Sequence, residues 1–346
     1  PRAPRSPPPP SHPPPPAPHP AAPHIHHSTS DRPTGTLPVP PASARLPART
    51  HHQTGADHPE SAARLAAISD RLLATGLGNV LLNIDAPEAS RAELLRVHDA
   101  GYVDALCARA PKSGLERIDP DTVIGPRSLD AARRAAGAAI AAVDLVASGE
   151  VDNAFCSVRP PGHHAERNES MGFCLFNNVA VGAAHALEAH GYSRIAILDF
   201  DVHHGNGTEN IFADDERVLF CSSFQHPFYP FTPLHPNTAN RVSVPLGAGD
   251  GSDAFRDAVE RHWMPAVARF EPEFVFVSAG FDAHVADDMS HIHLVDDDYQ
   301  WVTERIVEMA TATAEGRIVS TLEGGYELHS LARCVATHLR VLAGVH

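Results

Sequence analysis

The sequence predicts an α/β fold: a single three-layer α/β/α domain with a mostly parallel central sheet and its polar site at the carboxyl ends of the strands. Three observations predict it. Short apolar runs alternate with helical segments from about residue 57 onward, the pattern of strands buried on both faces by helices. Four of those runs lead at once into clusters of polar residues, and in such sheets ligands sit outside the carboxyl ends of the strands. No internal repeat and no later break in composition marks a second domain.

Residues 1–47 hold 18 of the 32 prolines, with runs at Pro7 to Pro10 and Pro13 to Pro16. That much proline suits neither helix nor sheet ladder, and the apolar content is too low to offset chain entropy, so the segment reads as a disordered or polyproline II tail. Its histidines His12, His19, His24, His26 and His27 have nothing to fix a metal geometry and read as solvated, titratable groups. Residues 48–346 form the predicted domain. Asp57 can cap a helix with Pro59 in its first turn, Leu65, Ile68 and Leu72 on one face and Gly76 as its stop. Residues 80–84 read as a strand, and Ser90 with Glu93 has the spacing of a capping box. Residues 128–148 form an alanine-rich helix closed by Gly149. Further strands are expected at 154–158, 195–199, 218–222, 241–244, 274–278 and 318–322, with helices near 176–190, 252–268, 296–314 and 328–343.

Twenty-seven basic against 42 acidic side chains give a formal net charge of −15. No run of sequence supplies the basic patch that nucleic acid requires, and cationic partners suit such a surface better. The five cysteines, Cys107, Cys156, Cys174, Cys221 and Cys334, are widely spaced with no C-x-x-C pair. They fit neither a disulfide framework nor a structural zinc module, and a reducing, cytoplasmic setting is expected. No stretch of about 18 apolar residues is present to span a bilayer. The oligomeric state is left open, a homo-oligomer included.

Four strands run directly into the motifs that carry the chemistry: RPPGHHAERNESMGFC at 159–174, DFDVHHGNGTE at 199–209, AGFDAH at 279–284 and EGGYE at 323–327. If the chain stays extended past residue 199, Asp199, Asp201 and His203 leave the same face. D-x-H alone also suits a capped or salt-bridged loop. With Asp282 arriving from another strand end, Asp201 and His203 would supply two carboxylates and an imidazole, three ligands with one position open, as a catalytic zinc requires. His163 and His164 come after Pro160, Pro161 and Gly162, a stiff approach suited to holding a general acid and base. Gly324 and Gly325 let backbone come close and aim Tyr326, whose phenol can donate to a developing oxyanion.

Taken together and in this order, these motifs resemble the zinc-dependent histone deacetylase superfamily, which includes bacterial deacetylase-like amidohydrolases and acetylpolyamine amidohydrolases. The resemblance runs from about His51 to the C-terminus and includes D-H-P-E at 57–60 with Arg64. Asn206 and the E-G-G-Y segment are more similar to the class II branch. The resemblance implies one Zn²⁺ on Asp201, His203 and Asp282, with water activated beside it. It implies His164 as proton shuttle, His163 as its electrostatic partner, Asp199 orienting His163 and Asn206 behind His164, a neutral partner that leaves this histidine less basic. Tyr326 would polarise the amide carbonyl. A structural K⁺ would use Asp199 and Ser222, with Ser223 as the alternative. Phe173, beside Gly172, would form one wall of an acyl-lysine tunnel and Phe228 or Tyr229 the other, though each aromatic alone could be core. Met289 would sit at the rim, where an apolar residue favours an acyl-lysine stem over a free polyamine. Asp121 would hold substrate amides.

The implied function is removal of acetyl or another short acyl group from acyl-lysine in peptides or proteins, with acetylated polyamine as the alternative substrate. The apolar strand that relatives carry ahead of D-H-P-E is expected to be missing, with proline-rich sequence in its place. The loop at 230–236 also lacks the usual glycine-rich continuation. A two-manganese arginase-like hydrolase is disfavoured because Gly205 and His284 stand where further carboxylates are needed. A non-catalytic acyl-lysine reader would not need the full set of ligands, histidines and Tyr326.

Overall fold

The computed structural model describes residues 42–45, as a strand, and 52–345. Ten strands occur among them: β1 Ala42–Arg45, β2 Leu82–Asp85, β3 Glu116–Arg117, β4 Val123–Ile124, β5 Asn153–Ser157, β6 Ile195–Asp199, β7 Val218–Gln225, β8 Arg241–Leu246, β9 Phe274–Ala279 and β10 Ile318–Leu322. Eight form one sheet in the order β2-β1-β5-β10-β9-β6-β7-β8. Every pairing in it is parallel, while β3 and β4 form a separate antiparallel pair.

Strand alternation sorts the core. Ile195, Ile197, Phe274 and Phe276 enter one apolar cluster, while their chain neighbours Ala196, Leu198, Val275 and Val277 enter the other. A period of two sends successive side chains to opposite faces, so a sheet covered on both sides needs strands apolar throughout. Helices Ser128–Ala147 and Asn178–Ala189 cover the first face. They pack closely because small residues meet there: a Cβ on Gly182 would lie 3.0 Å from that of Ala139. Helices Ala62–Ala74, Asp296–Thr313 and Leu328–Leu342 cover the second face.

The strand expected to be missing is present. β1 lies between β2 and β5, each residue of Ala42–Arg45 in register with both neighbours. It falls inside the stretch assigned to the tail. Pro41 and Pro47 flank it, so no proline occupies the paired positions, and four residues suffice to bridge short neighbours. The rest of the tail, with its histidines, lies outside the described residues. The first helix also starts later than expected. It runs over Ala62–Ala74 with Ser61 at its N-cap, because Glu60 is drawn instead into a buried pair with Arg159. Its stop is as expected, with Gly76 at φ 71°, as is the capping box of Ser90 and Glu93. The segment near 252–268 is one continuous helical stretch interrupted by a π-helical turn at Val259–Trp263.

One buried histidine ties two covering helices to the sheet. His338 sits 2.8 Å from Thr303 Oγ1 and 2.9 Å from Ser320 Oγ and is fully buried. Burial lowers its pKa to about 3, against about 6.5 in an unfolded chain. Unfolding therefore takes up a proton between those values, and the histidine's share of stability, complete above pH 6.5, is lost as pH falls. The stability gap between the wild type and His338→Gln is expected to narrow by about 2 kcal/mol from pH 7 to pH 5. Urea unfolding at both pH values checks this, and an unchanged gap would contradict it.

Candidate active site

The sheet order makes β5, β10, β9 and β6 adjacent. They are the four strands that lead into the polar motifs, so parallel pairing brings all four motifs to one edge.

Past β6 the backbone bends rather than staying extended, with Asp199 Oδ1 accepting from the Asp201 N–H at 3.1 Å. The other oxygen of Asp199 meets His163 Nδ1 at 3.0 Å. Asp201 and His203 still converge, because Asp201 Oδ1 accepts the His203 N–H at 2.9 Å. His203 Nδ1 lies 3.2 Å from Asp201 Oδ1 and 3.2 Å from Asp282 Oδ2. The donor atoms of Asp201, His203 and Asp282 all fall within 4.8 Å of one another, and all three residues are buried. Backbone amides hold the remaining oxygens: Gly324 N–H donates to Asp201 Oδ2 at 2.8 Å and Val202 N–H to Asp282 Oδ1 at 3.0 Å. Asp282 Oδ2 is buried without a well-formed hydrogen bond, a cost that a coordinated cation would remove. Glycine is required beside it, since a Cβ on Gly324 would lie 2.0 Å from Asp282 Oδ2 and one on Gly280 2.1 Å from Asp201 Oδ2. Two carboxylates and an imidazole fit a divalent, zinc-like ion.

Two other groups of similar composition occur among the described residues, Asp144 with His185 and His190, and His284 with Asp296 and Cys334. An arginine competes in each. Arg96 donates to His185 Nδ1 at 2.8 Å, and Arg333 binds both oxygens of Asp296.

The histidine pair is set beside the three-ligand centre in two different environments. His163 Nδ1 lies 3.0 Å from Asp199 Oδ2 and its Nε2 3.7 Å from Asp201 Oδ1. Burial alone would lower its pKa, but the carboxylates of Asp201 and Asp199 outweigh it and hold the ring up to about 10, with only the protein's charges in the site. His164 is pushed well below the usual value, chiefly by burial and further by the neighbouring imidazoles. Its Nδ1 meets the uncharged Asn206 Oδ1 at 2.8 Å. The two rings thus differ in basicity, the contrast that lets a pair serve as acid and base. Gly172, at φ 56°, presses on the second ring, since a Cβ there would lie 2.3 Å from His164 Cδ2.

Three acidic residues to which the sequence alone assigns no role brace this arrangement. Glu323 accepts the N–H groups of Gly162 and His163 at 2.6 and 3.1 Å and fastens the histidine loop to the end of β10; burial raises it to about 7. Asp287 accepts from the backbone of Tyr326, Glu327 and Met289 at 2.6, 3.0 and 3.1 Å. Glu166 accepts from Asn206 Nδ2 at 2.7 Å. Glu323 carried a signal, an acid directly after the strand run 318–322; Asp287, in a loop of several acids, carried none.

A profile of the histone deacetylase domain matches residues 58–342. The chain belongs to the histone deacetylase family. It is similar to a histone deacetylase-like amidohydrolase of Pseudomonas aeruginosa, 38% identical over 317 residues, covering 90% of this chain and 81% of that one. A probable deacetylase of Archaeoglobus fulgidus is 39% identical over 80% of this chain and 79% of its own. The human polyamine deacetylase HDAC10 is 37% identical over 81% of this chain and 44% of its own. Among solved structures, the HDA15 HD domain superposes with a TM-score of 0.80 at 34% identity, covering 88% of this chain and 91% of that one.

The rim of this deacetylase-family domain is aromatic. Tyr326 is half-buried, with Arg64 4.9 Å over its ring and Phe173 packed edge-on at 5.8 Å. Phe173 has φ 67°, a conformation its N–H helps hold by donating to Thr122 Oγ1 at 3.1 Å. His58, from the D-H-P-E segment, packs edge-on against Phe173 at 4.8 Å. Phe228 stacks on His203 at 5.7 Å and 18°, and Tyr229 stands edge-on to His164 at 5.3 Å and to His203 at 5.9 Å. Both candidates for the second wall therefore border the site. Tyr229 also hydrogen bonds Asp121, which is half-buried. Met289 is half-buried on the loop after Asp282. Asp199 and Ser222 face each other in register on β6 and β7, and the buried Ser222 and Ser223 hydroxyls lack hydrogen-bond partners. No helix among the described residues is long and apolar enough to cross a membrane.

Proposed function

We propose that this deacetylase binds one Zn²⁺ through Asp201, His203 and Asp282 and removes acetyl or another short acyl group from lysine side chains in peptides or proteins. The observation that carries the reading is the convergence of the three donor atoms within 4.8 Å, flanked by the paired rings of His163 and His164. The ion would supply Lewis acidity, polarising an amide carbonyl and making a nearby water more acidic. His164, with its Nε2 free of Asn206, takes the proton from that water. His163, held cationic by Asp199, stabilises negative charge and is a donor for the leaving amine. Tyr326, whose burial holds its pKa well above the ordinary phenol value, stays protonated and donates to the carbonyl oxygen as charge develops on it. Phe173 with Tyr229 or Phe228 would enclose the alkyl stem, Asp121 would accept substrate N–H groups, and Gly172 keeps backbone close to His164. Asp199 and Ser222 would hold a structural K⁺, a reading supported by the unpartnered Ser222 hydroxyl. The five free cysteines suit a reducing cytoplasm.

An acyl-lysine stem rather than a polyamine is favoured by Met289, since an apolar rim residue offers a second ammonium no partner. The acetylpolyamine reading draws on the likeness to human polyamine deacetylase HDAC10 and the net charge of −15. The zinc-loaded protein is expected to release acetate from an acetyl-lysine peptide, to act more slowly on N-acetylated polyamine, and to lose activity with a chelator and regain it with Zn²⁺. Faster turnover of the polyamine would reverse the substrate assignment, and turnover unaffected by chelation would overturn the zinc reading.

A further inference from the structure

The amide of Asn206 has two ends, and which end faces His164 decides the proton position on the base. Its Oδ1 lies 2.8 Å from His164 Nδ1, while its Nδ2 donates to Glu166 Oε1 at 2.7 Å and to Met171 Sδ at 3.2 Å. An ionised carboxylate only accepts, and a thioether accepts weakly. Turning the amide over would set its oxygen against Glu166 and the sulfur, with no donor left for either. Asn206 is buried, so its amide depends on these protein partners. The amide oxygen is thereby fixed towards the imidazole, His164 Nδ1 must carry the hydrogen, and Nε2 keeps its lone pair.

We propose that Glu166 is a positioning residue for deacylation: acting through Asn206, its carboxylate selects the Nδ1–H tautomer of His164 and so keeps Nε2 available as the base. This rests on the reading of His164 as the proton acceptor and assigns Glu166 the orienting charge that an aspartate at position 206 would supply directly. Glu166 is half-buried and, with His204, Asn206 and Glu209, lines a recess of about 200 Å³. The relay therefore runs from the site to the opposite, solvent-facing side of the histidine loop. Arg167 N–H donates to Asn210 Oδ1 at 3.1 Å, and the Glu166 carbonyl oxygen accepts from His98 Nδ1 at 2.9 Å. These contacts fix the backbone at Glu166, so its side chain can be changed without releasing the loop.

The test pairs a spectroscopic with a kinetic readout. Glutamine at position 166 can donate as well as accept, so Glu166→Gln permits the reversed network and the Nε2–H tautomer. The ¹⁵N chemical shifts of the His164 ring are expected to show Nδ1–H alone in the wild type and a mixture in Glu166→Gln, with kcat down about tenfold and KM little changed. Asn206→Asp alone sets two carboxylates against each other and is expected to lose about 10- to 100-fold in kcat. Combining Glu166→Gln with Asn206→Asp lets the introduced amide donate to the introduced carboxylate. This double variant is expected to recover most of that loss, while a merely structural Glu166 would give no such rescue. An unaltered His164 tautomer in Glu166→Gln, or a double variant no faster than Asn206→Asp, overturns the proposal. The ring shifts are read without turnover, so failure of the deacylase reading would appear separately, as a wild type with the Nδ1–H tautomer and no amide hydrolysis.

Discussion

Tyr326→Phe is expected to lower kcat by about two to three orders of magnitude with KM nearly unchanged. The substitution removes one hydroxyl and leaves the ring, so the contacts with Phe173 and Arg64 that seat it persist. Asp287 holds the Tyr326 backbone through its N–H at 2.6 Å, and that bond does not depend on the side chain. The loop therefore keeps its place, and the loss is of a donor that matters only as charge develops on the carbonyl oxygen. Zinc content and thermal unfolding should match the wild type. Steady-state kinetics on an acetyl-lysine peptide decide the matter: a kcat within about threefold of the wild type would remove Tyr326 from the mechanism.

Arg159→Met should destabilise the fold by about 3–5 kcal/mol. Arg159 and Glu60 are both fully buried, and the guanidinium donates to both carboxylate oxygens, Nε to Oε1 at 2.7 Å and Nη2 to Oε2 at 2.6 Å. Burial alone would raise the Glu60 pKa, but Arg159 and His52 together more than reverse that and hold it well below the usual carboxylate range. Removing the arginine strands an anion in the interior, with Arg64 3.4 Å away as its remaining buried guanidinium neighbour. Replacing both partners, Glu60→Leu with Arg159→Met, should cost less than the single change, because desolvating a lone charge is worse than exchanging a pair for apolar atoms. Urea unfolding of the two variants tests this, and a single variant within about 1 kcal/mol of the wild type would contradict it. Arg159 directly precedes the Pro160 to His164 loop, so activity should fall with stability.

Much of the architecture was legible because two periodic signals agree. Strand runs such as 195–198 and 274–277 are apolar throughout, which only a sheet covered on both faces accommodates, and alanine-rich or amphipathic segments between them supply the covers. β1 was not legible: Ala42–Arg45 carries no apolar pattern and lies among prolines, and pairing with β2 and β5 alone makes it a strand. The late start of the first helix has a similar cause, since Glu60 answers to Arg159, 99 positions away.

The same division runs through the site. Which side chains meet could be read from the chain alone, because parallel strands must deliver their ensuing loops to one edge, and Asp201, His203, Asp282, His163, His164 and Tyr326 all stand just past such strands. How they are held emerges only in three dimensions. The bend after Asp199, the clamp of Glu323 on the histidine loop, the grip of Asp287 on the Tyr326 backbone and the hydrogen bond of Asn206 to Glu166 all lie past the strand ends. No local pattern encodes them, because a carboxylate's partners are chosen by burial and distance in the folded chain, where an unpaired polar group is costly.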